Sequence, residues 1–295
     1  MLKKVIIILI VFIVVLYLLA AVSFQVFSQI VFRRNTEKRF KEKDIPYEKI
    51  SFSHQGMMLE GVAAGADSLP LVMLVHGSPG SWRDFQDNLA DKELTLKARL
   101  VAIDRPGYGA SSGRAAVTSL QLQAAALSDY LKANYPGRKA IWVGHSYGGA
   151  VIARIAMDHP QVVSGIIFLA ASLDPQLERK KWFNELASWK VIRWLLPQIL
   201  VTSNREIIAL KQELERMLPL WQTIAVPVTI IQGTADRLVS PGNAAFTQRV
   251  LTNTNQLEVQ MIDRQGHLIP WQRAEVIRDA IEKLLAITHV NSGNN

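Results

Sequence analysis

Six short apolar segments, each ended by Gly, Asp, Ser or His, most strongly constrain what this chain can fold into. In chain order they read LVMLVHG, RLVAIDRPG, AIWVGHS, GIIFLAAS, VPVTIIQG and LEVQMID. They are rich in β-branched residues, and nearly continuous apolar runs are typical of strands covered on both faces. Helix-length stretches separate most of them, so the sequence predicts an α/β fold with a mostly parallel central sheet flanked by helices. Polar residues at the ends of such strands meet at one edge of the sheet, where ligands bind.

Composition and charge exclude several classes of protein. The chain has 295 residues and no cysteine, which excludes disulfides, thiolate metal sites and a cysteine nucleophile. Its formal charge is +8, but the first 44 residues contain eight Lys/Arg and three Asp/Glu and so account for +5 of it. There is no basic stripe interleaved with aromatic residues, so we expect no nucleic-acid partner. One domain with appendages is the simplest organisation for this length.

The N-terminal segment is apolar enough to cross a membrane. Residues 5–22 contain no charge, and a helix of that length spans roughly 27 Å, close to the thickness of the hydrocarbon core. We expect residues 1–44 to form a single-pass membrane anchor with a basic flank, and residues 45–295 to form the folded domain. A cleaved signal peptide, with Lys3 and Lys4 as its charged head, is the alternative. The side of the membrane stays open.

A serine stands between two glycines where a predicted strand meets a predicted helix. The segment IWVGHSYGG contains Gly144, Ser146 and Gly148, which is the G-x-S-x-G pattern of a nucleophile elbow. In such an elbow the serine lies on a strained turn, and the flanking glycines leave room for the backbone to close it. The turn brings the hydroxyl above the sheet edge and directs the N-terminus of the next helix toward it. This pattern predicts an activated serine at Ser146.

Together with an HGSPG loop and a long helical insertion, this pattern resembles the α/β-hydrolase family over residues 47–285. The resemblance implies a catalytic triad in the chain order Ser146, Asp236 and His267, with Asp236 in the GTAD turn and His267 after the last strand. Asp174, in AASLDP after another strand, is an alternative acid. The resemblance also implies an oxyanion hole made of the backbone N–H groups of Ser78 and Tyr147.

The same resemblance gives structural roles to neighbouring motifs. His76 is expected to orient the HGSPG loop, and Asp104 and Arg105 in DRPGYG to organise the loops around the site. Residues 173–225 are expected to form a helical cap whose apolar inner face contributes an acyl pocket. The alternative is that its tryptophans only pack the cap onto the core. The candidate substrate-binding residues are Trp82, Trp182, Trp189 and Trp194.

The sequence therefore predicts a membrane-anchored serine hydrolase that acts on small or lipid-like carboxylic esters. Serine at the elbow, where related epoxide hydrolases and dehalogenases have Asp, disfavours epoxides and alkyl halides. Amide, peptide or carbon–carbon bond hydrolysis and perhydrolysis would use the same triad, and a ligand receptor could retain the same fold. We expect no metal and no cofactor, since there is no H-E-x-x-H motif or acidic cluster with metal spacing. The oligomeric state stays open.

Overall fold

The computed structural model describes residues 36–111, 116–179 and 182–292. The predicted membrane anchor at residues 5–22 lies outside these ranges. Among the helices that are described, none is both long and apolar enough to cross a bilayer. The anchor therefore stays a prediction from sequence.

The fold is built on one eight-stranded sheet whose strands follow the order β1-β2-β4-β3-β5-β6-β7-β8. β1 pairs antiparallel with β2 and β2 with β4, whereas every other neighbouring pair is parallel. The prediction of a mostly parallel sheet is thus confirmed. The strands are β1 (Tyr47–His54), β2 (Met57–Ala64), β3 (Leu71–Val75), β4 (Arg99–Ile103), β5 (Ala140–His145), β6 (Val163–Leu169), β7 (Val228–Gly233) and β8 (Leu257–Ile262).

Helices cover both faces of this sheet, and residues 36–42 form a further helical segment at the start of the described chain. Short 3-10 turns at Trp82–Phe85, Pro160–Val162 and Leu218–Thr223 complete the connections. The helices are α1 (Gln86–Leu89), α2 (Lys92–Lys97), α3 (Leu120–Asn134), α4 (Tyr147–Asp158), α5 (Trp182–Ser188), α6 (Lys190–Leu195), α7 (Gln198–Met217), α8 (Gly242–Val250), α9 (Ile269–Gln272) and α10 (Ala274–Ser292).

Alternation along a strand explains why the inner strands are almost entirely apolar. In β3, Leu71, Met73 and Val75 pack into the hydrophobic cluster that contains α3 and α4. Val72 and Leu74 pack into the opposite cluster, which contains residues of α1, α2 and α10. Because successive side chains of a strand point to opposite faces, both faces need apolar residues when helices cover both.

The predicted cap is an insertion between β6 and β7. It comprises α5, α6, α7 and the 3-10 turn at Leu218–Thr223. Trp221 in that turn is fully buried and makes edge-to-face contacts with Phe168 and Phe246. For this tryptophan, the alternative of packing the cap onto the core is the correct one.

Candidate active site

The backbone at Ser146 has the strained geometry predicted for a nucleophile elbow. Ser146 has φ 54° and ψ −120° and lies between the end of β5 and the start of α4. Positive φ is rare for a residue with a side chain and persists only where the surroundings hold it. Here the Ser146 N–H donates to Leu169 O at 2.9 Å, and its carbonyl accepts from Gly149 at 3.0 Å and from Ser172 at 3.2 Å. The side chain is half-buried.

Glycine is required beside the elbow because backbone passes too close for a side chain. A Cβ atom at Gly148 would lie 2.3 Å from the carbonyl oxygen of Val75, and one at Gly144 would lie 2.6 Å from that of Gly148. A Cβ atom at Gly77 would lie 3.1 Å from the Cβ of Ser146. The loop that follows β3 therefore runs directly alongside the serine. This contact places Ser78, the residue after Gly77, in the same neighbourhood as Tyr147, which follows Ser146 in the chain.

His267 and Asp236 form a hydrogen-bonded pair at the carboxyl ends of β8 and β7. His267 Nδ1 lies 2.8 Å from Asp236 Oδ2, and because a carboxylate only accepts, Nδ1 carries the proton. Burial alone would raise the pKa of Asp236, but the bonds from His267 and from the N–H groups of Val239 and Leu238 hold it below its ordinary value. Neutral His267 thus has Nε2 as its acceptor nitrogen.

The alternative acid, Asp174, has different partners. Its side chain accepts a hydrogen bond from the backbone N–H of Gln176 at 2.9 Å, and its own N–H donates to Asn243 at 2.8 Å. The carboxylate that contacts His267 is therefore that of Asp236.

His145, directly before the elbow serine, packs against the ring of His267 and hydrogen-bonds to its backbone. The two rings lie 4.7 Å apart, and His145 Nε2 donates to the backbone carbonyl of His267 at 3.1 Å. His145 Nδ1 is buried without a hydrogen-bond partner among the described residues. Burial, reinforced by His267, lowers the pKa of His145 to about 3, so this ring is neutral at physiological pH. No sequence pattern indicated the contact between these two histidines.

His76 holds the loop after β3, as expected from the sequence. Its Nδ1 donates to the carbonyl of Gly77 at 2.8 Å, and its Nε2 accepts from the N–H of Arg105 at 2.9 Å. Burial, followed by the charge of Arg105, lowers the pKa of His76 well below its ordinary value. A neutral imidazole is what this arrangement needs, because one ring nitrogen donates and the other accepts.

Arg105 and Glu206 form a fully buried ion pair between the β4 loop and cap helix α7. Arg105 Nη1 and Nη2 lie 2.7 and 3.0 Å from the two carboxylate oxygens of Glu206, and both residues have zero exposure. Arg105 also donates to the carbonyls of His76 at 3.0 Å and Gly77 at 2.7 Å. The Tyr108 hydroxyl donates to Glu206 at 2.6 Å. The sequence pointed to Arg105 as an organiser but not to Glu206, one of several charged residues in a helical segment.

Asp104 closes the DRPGYG turn as expected. Its carboxylate accepts from the N–H groups of Trp82 at 2.8 Å and Ala110 at 2.9 Å. Gly109 has φ +53°, and a Cβ atom there would overlap the Asp104 carboxylate. The turn is therefore structural.

The structure does not bring the four candidate substrate-binding tryptophans together around Ser146. Trp82 is 8% exposed and packs in the core, where it borders a pocket of about 310 Å³ beside β1 and β2. Trp182, Trp189 and Trp194 are 77%, 65% and 73% exposed. These positions differ from the enclosed acyl pocket expected of the cap, and a role of these residues in binding substrate stays a prediction. Within the described ranges, no three His, Asp or Glu side chains group as metal ligands.

Comparison with known proteins agrees with this topology. A family model described as alpha/beta hydrolase fold matches residues 70–198. Two solved structures cover most of the chain: a membrane phospholipase A, with TM-score 0.70, 17% identity and coverage of 97% of this chain and 99% of that one, and a hydrolase from Pseudomonas aeruginosa PA01, with TM-score 0.62, 18% identity and coverage of 81% and 98%. The chain has the α/β-hydrolase fold.

Curated relatives match over shorter stretches of the chain. Epoxide hydrolase 4 of Mus musculus is 31% identical over 122 residues, which are 41% of this chain and 33% of that protein. A pimeloyl-[acyl-carrier protein] methyl ester esterase of Proteus mirabilis is 40% identical over 101 residues, 34% of this chain and 36% of that protein. The chain thus spans about a third of the length of the curated relatives it matches.

Removing the carboxylate of Glu206 is expected to destabilise the fold. Glu206→Gln leaves the buried Arg105 charge without a counter-charge, so the free energy of unfolding should fall by about 3–5 kcal/mol. Glu215→Gln, at an exposed position of the same helix, is the matched control and should change it by about 0.5 kcal/mol or less. Urea denaturation measures both. Equal effects of the two substitutions would contradict a stabilising role for the pair.

Stability should depend on pH through His145. Its pKa is about 3 in the folded protein and about 6.5 in an unfolded chain. The unfolded state therefore binds the proton first, and the stability contribution is complete above pH 6.5 and lost as the pH falls toward 3. The loss is about 1.4 kcal/mol per pH unit. The stability advantage of wild type over His145→Gln, which does not titrate, should shrink by about 2–3 kcal/mol over the two pH units from pH 6 to pH 4, as measured by urea denaturation. If the difference in stability between wild type and His145→Gln did not change with pH, the lowered pKa of His145 would be contradicted.

Proposed function

We propose that the protein is a serine hydrolase that cleaves carboxylic esters through an acyl-enzyme, with Ser146 as nucleophile, His267 as base and Asp236 as acid. The observation that carries this proposal is the 2.8 Å contact between His267 and Asp236, in the loops that follow β8 and β7, at the same edge of the sheet as the strained Ser146 turn that follows β5. Position, chain order and hydrogen bonding then agree with the roles that the resemblance implies.

The reaction follows from the protonation states at the site. His267 Nε2 takes the proton of Ser146 Oγ while Oγ bonds to the acyl carbon. Asp236 keeps the proton of the ring on Nδ1 and stabilises the imidazolium that forms. The backbone N–H groups of Ser78 and Tyr147 hold the oxyanion. The ester C–O bond then breaks, His267 protonates the leaving alkoxide, and a water molecule activated in the same way releases the carboxylic acid.

The choice of ester over other substrates rests on Ser146 and on the relatives. One curated relative is named a methyl ester esterase and another an epoxide hydrolase. Related epoxide hydrolases are expected to have Asp where this chain has Ser146, which favours acyl transfer. Hydrolysis of amides, hydrolysis of activated carbon–carbon bonds and perhydrolysis all share the acyl-transfer step. A matched amide substrate therefore distinguishes an esterase from an amidase.

We also propose that residues 5–22 anchor the domain in a membrane, as a single span. Support comes from 18 successive residues without charge, Val5 to Val22, followed by a flank rich in Lys and Arg.

Labelling with a fluorophosphonate probe tests the proposed nucleophile. We expect wild type to be labelled and Ser146→Ala to be unlabelled, with sustained turnover of p-nitrophenyl esters by wild type alone. Matched p-nitroanilides of the same acyl chains should turn over more slowly. If folded wild type reacts with neither probe nor ester, the protein is a ligand-binding module with a hydrolase fold, and the proposal fails.

Paired substitutions of the two candidate acids test the assignment of Asp236. Asp236→Asn should lower kcat by roughly 10⁴-fold, because the amide favours the wrong tautomer of the catalytic histidine. Asp174→Asn is the matched control, and it should lose far less because its carboxylate bonds to Gln176 instead. Steady-state hydrolysis of one p-nitrophenyl ester measures both. A larger loss at Asp174 would assign the acid to that residue.

A further inference from the structure

Exposed apolar side chains are concentrated on one part of the cap. The described chain has 13 large apolar residues with high exposure, and six of them fall within residues 182–200. Large apolar side chains that are exposed in such a concentration indicate an interaction site. We call this surface the cap face and define it by Trp182, Trp189, Val191, Trp194, Ile199 and Leu200.

The chemistry of the cap face fits a lipid surface. Between residues 182 and 200 the charged residues are one anion, Glu185, and two cations, Lys190 and Arg193. Tryptophan combines an apolar body with a polar N–H and is enriched at the membrane–water interface, while Lys and Arg bind anionic headgroups. A surface of exposed tryptophans with interleaved cations is therefore complementary to an anionic bilayer.

The chain enters the described domain at the same edge of the sheet as the cap. Thr36 and Glu37 line one pocket together with Trp82, Arg83 and Ala110. Trp82 follows the carboxyl end of β3, and Ala110 follows that of β4. The cap is inserted after the carboxyl end of β6, so the first described residues and the cap lie at the same edge of the sheet.

The length of the N-terminal connection keeps the domain close to the proposed membrane span. Thirteen residues separate position 22 from position 36, and a fully extended chain of that length reaches roughly 45 Å at most. A span ending near residue 22 would therefore hold the carboxyl edge of the sheet, and the cap beside it, within reach of the bilayer surface.

We propose that the cap face docks onto the surface of an anionic bilayer, a proposal that rests on the anchor and deepens the ester-hydrolase function. Docking holds the carboxyl edge, with Ser146, against the lipid, so that a lipid-derived ester reaches the serine without crossing bulk water. The partner is the lipid surface itself, and a second copy of the chain is the competing occupant.

Tryptophan quenching by brominated lipids tests the docking. All seven tryptophans lie between residues 82 and 271, so the anchor contributes no signal. The full chain is reconstituted into phosphatidylcholine/phosphatidylglycerol vesicles, with or without bromine on the acyl chains. Wild type should be quenched by bromine. The double variant Trp189→Ala/Trp194→Ala should lose at least about half of that quenching, because interfacial apolar groups lie roughly 5–10 Å deep at the acyl boundary.

Control measurements distinguish the docking proposal from the hydrolase proposal and from the anchor proposal. Leu96→Ala removes an equally exposed apolar side chain from α2, which precedes β4 at the opposite edge of the sheet, and should leave the quenching unchanged. Ser146→Ala should also keep it, so failure of the hydrolase proposal is seen separately by probe labelling. If alkaline carbonate released the chain from the vesicles, the anchor proposal would be overturned. The docking proposal is tested separately, by the tryptophan quenching measured before the carbonate wash.

Two results would overturn the docking. The first is wild-type fluorescence that brominated lipids do not quench, or quench equally in the double variant. The second is a wild-type dimer in detergent that becomes monomeric on Trp189→Ala/Trp194→Ala, which would assign the cap face to a second copy of the chain.

Discussion

The buried ion pair between Arg105 and Glu206 connects the parts of the molecule that the proposed chemistry needs. The Arg105 guanidinium, carried by the turn after β4, donates to the loop after β3 and to cap helix α7. An unpaired charge at this depth would be costly, since desolvation is offset only when both partners and their hydrogen bonds are present. The loop, the turn and α7 are therefore held in one arrangement, and the position of the cap relative to Ser146 depends on this contact.

The part of the site that sequence predicted best is the part that strand ends determine. Ser146, Asp236 and His267 each follow an apolar run, and in a parallel sheet the carboxyl ends of those runs meet at one edge. The elbow adds its own signal, since glycines at 144 and 148 are needed where backbone atoms approach within 3 Å. The fold class and a place at this edge for the three residues could therefore be inferred before any coordinates, whereas their grouping as a triad was implied by the family resemblance and their catalytic roles stay a prediction.

What sequence did not predict depends on which side chains meet across long separations. Glu206 stands 101 residues from Arg105, and nothing local distinguishes it from the exposed glutamate at 215. His145 and His267 come into contact only because the loop after β8 brings His267 back along the same edge of the sheet to the end of β5. The tryptophans show the same limit: Trp221 is buried and Trp194 is exposed, although both belong to the helical insertion.

The carbonyl of Gly77 has a further consequence for the loop after β3. It accepts from His76 Nδ1 at 2.8 Å and from Arg105 Nη2 at 2.7 Å, so two donors hold it on one side. The peptide bond between Gly77 and Ser78 is planar and trans, which makes its C=O and N–H point in opposite directions. By fixing the oxygen, the histidine and the arginine also fix the direction of the Ser78 N–H, the proposed oxyanion donor, in the protein alone. A dipole oriented in advance needs no reorganisation when negative charge develops beside it.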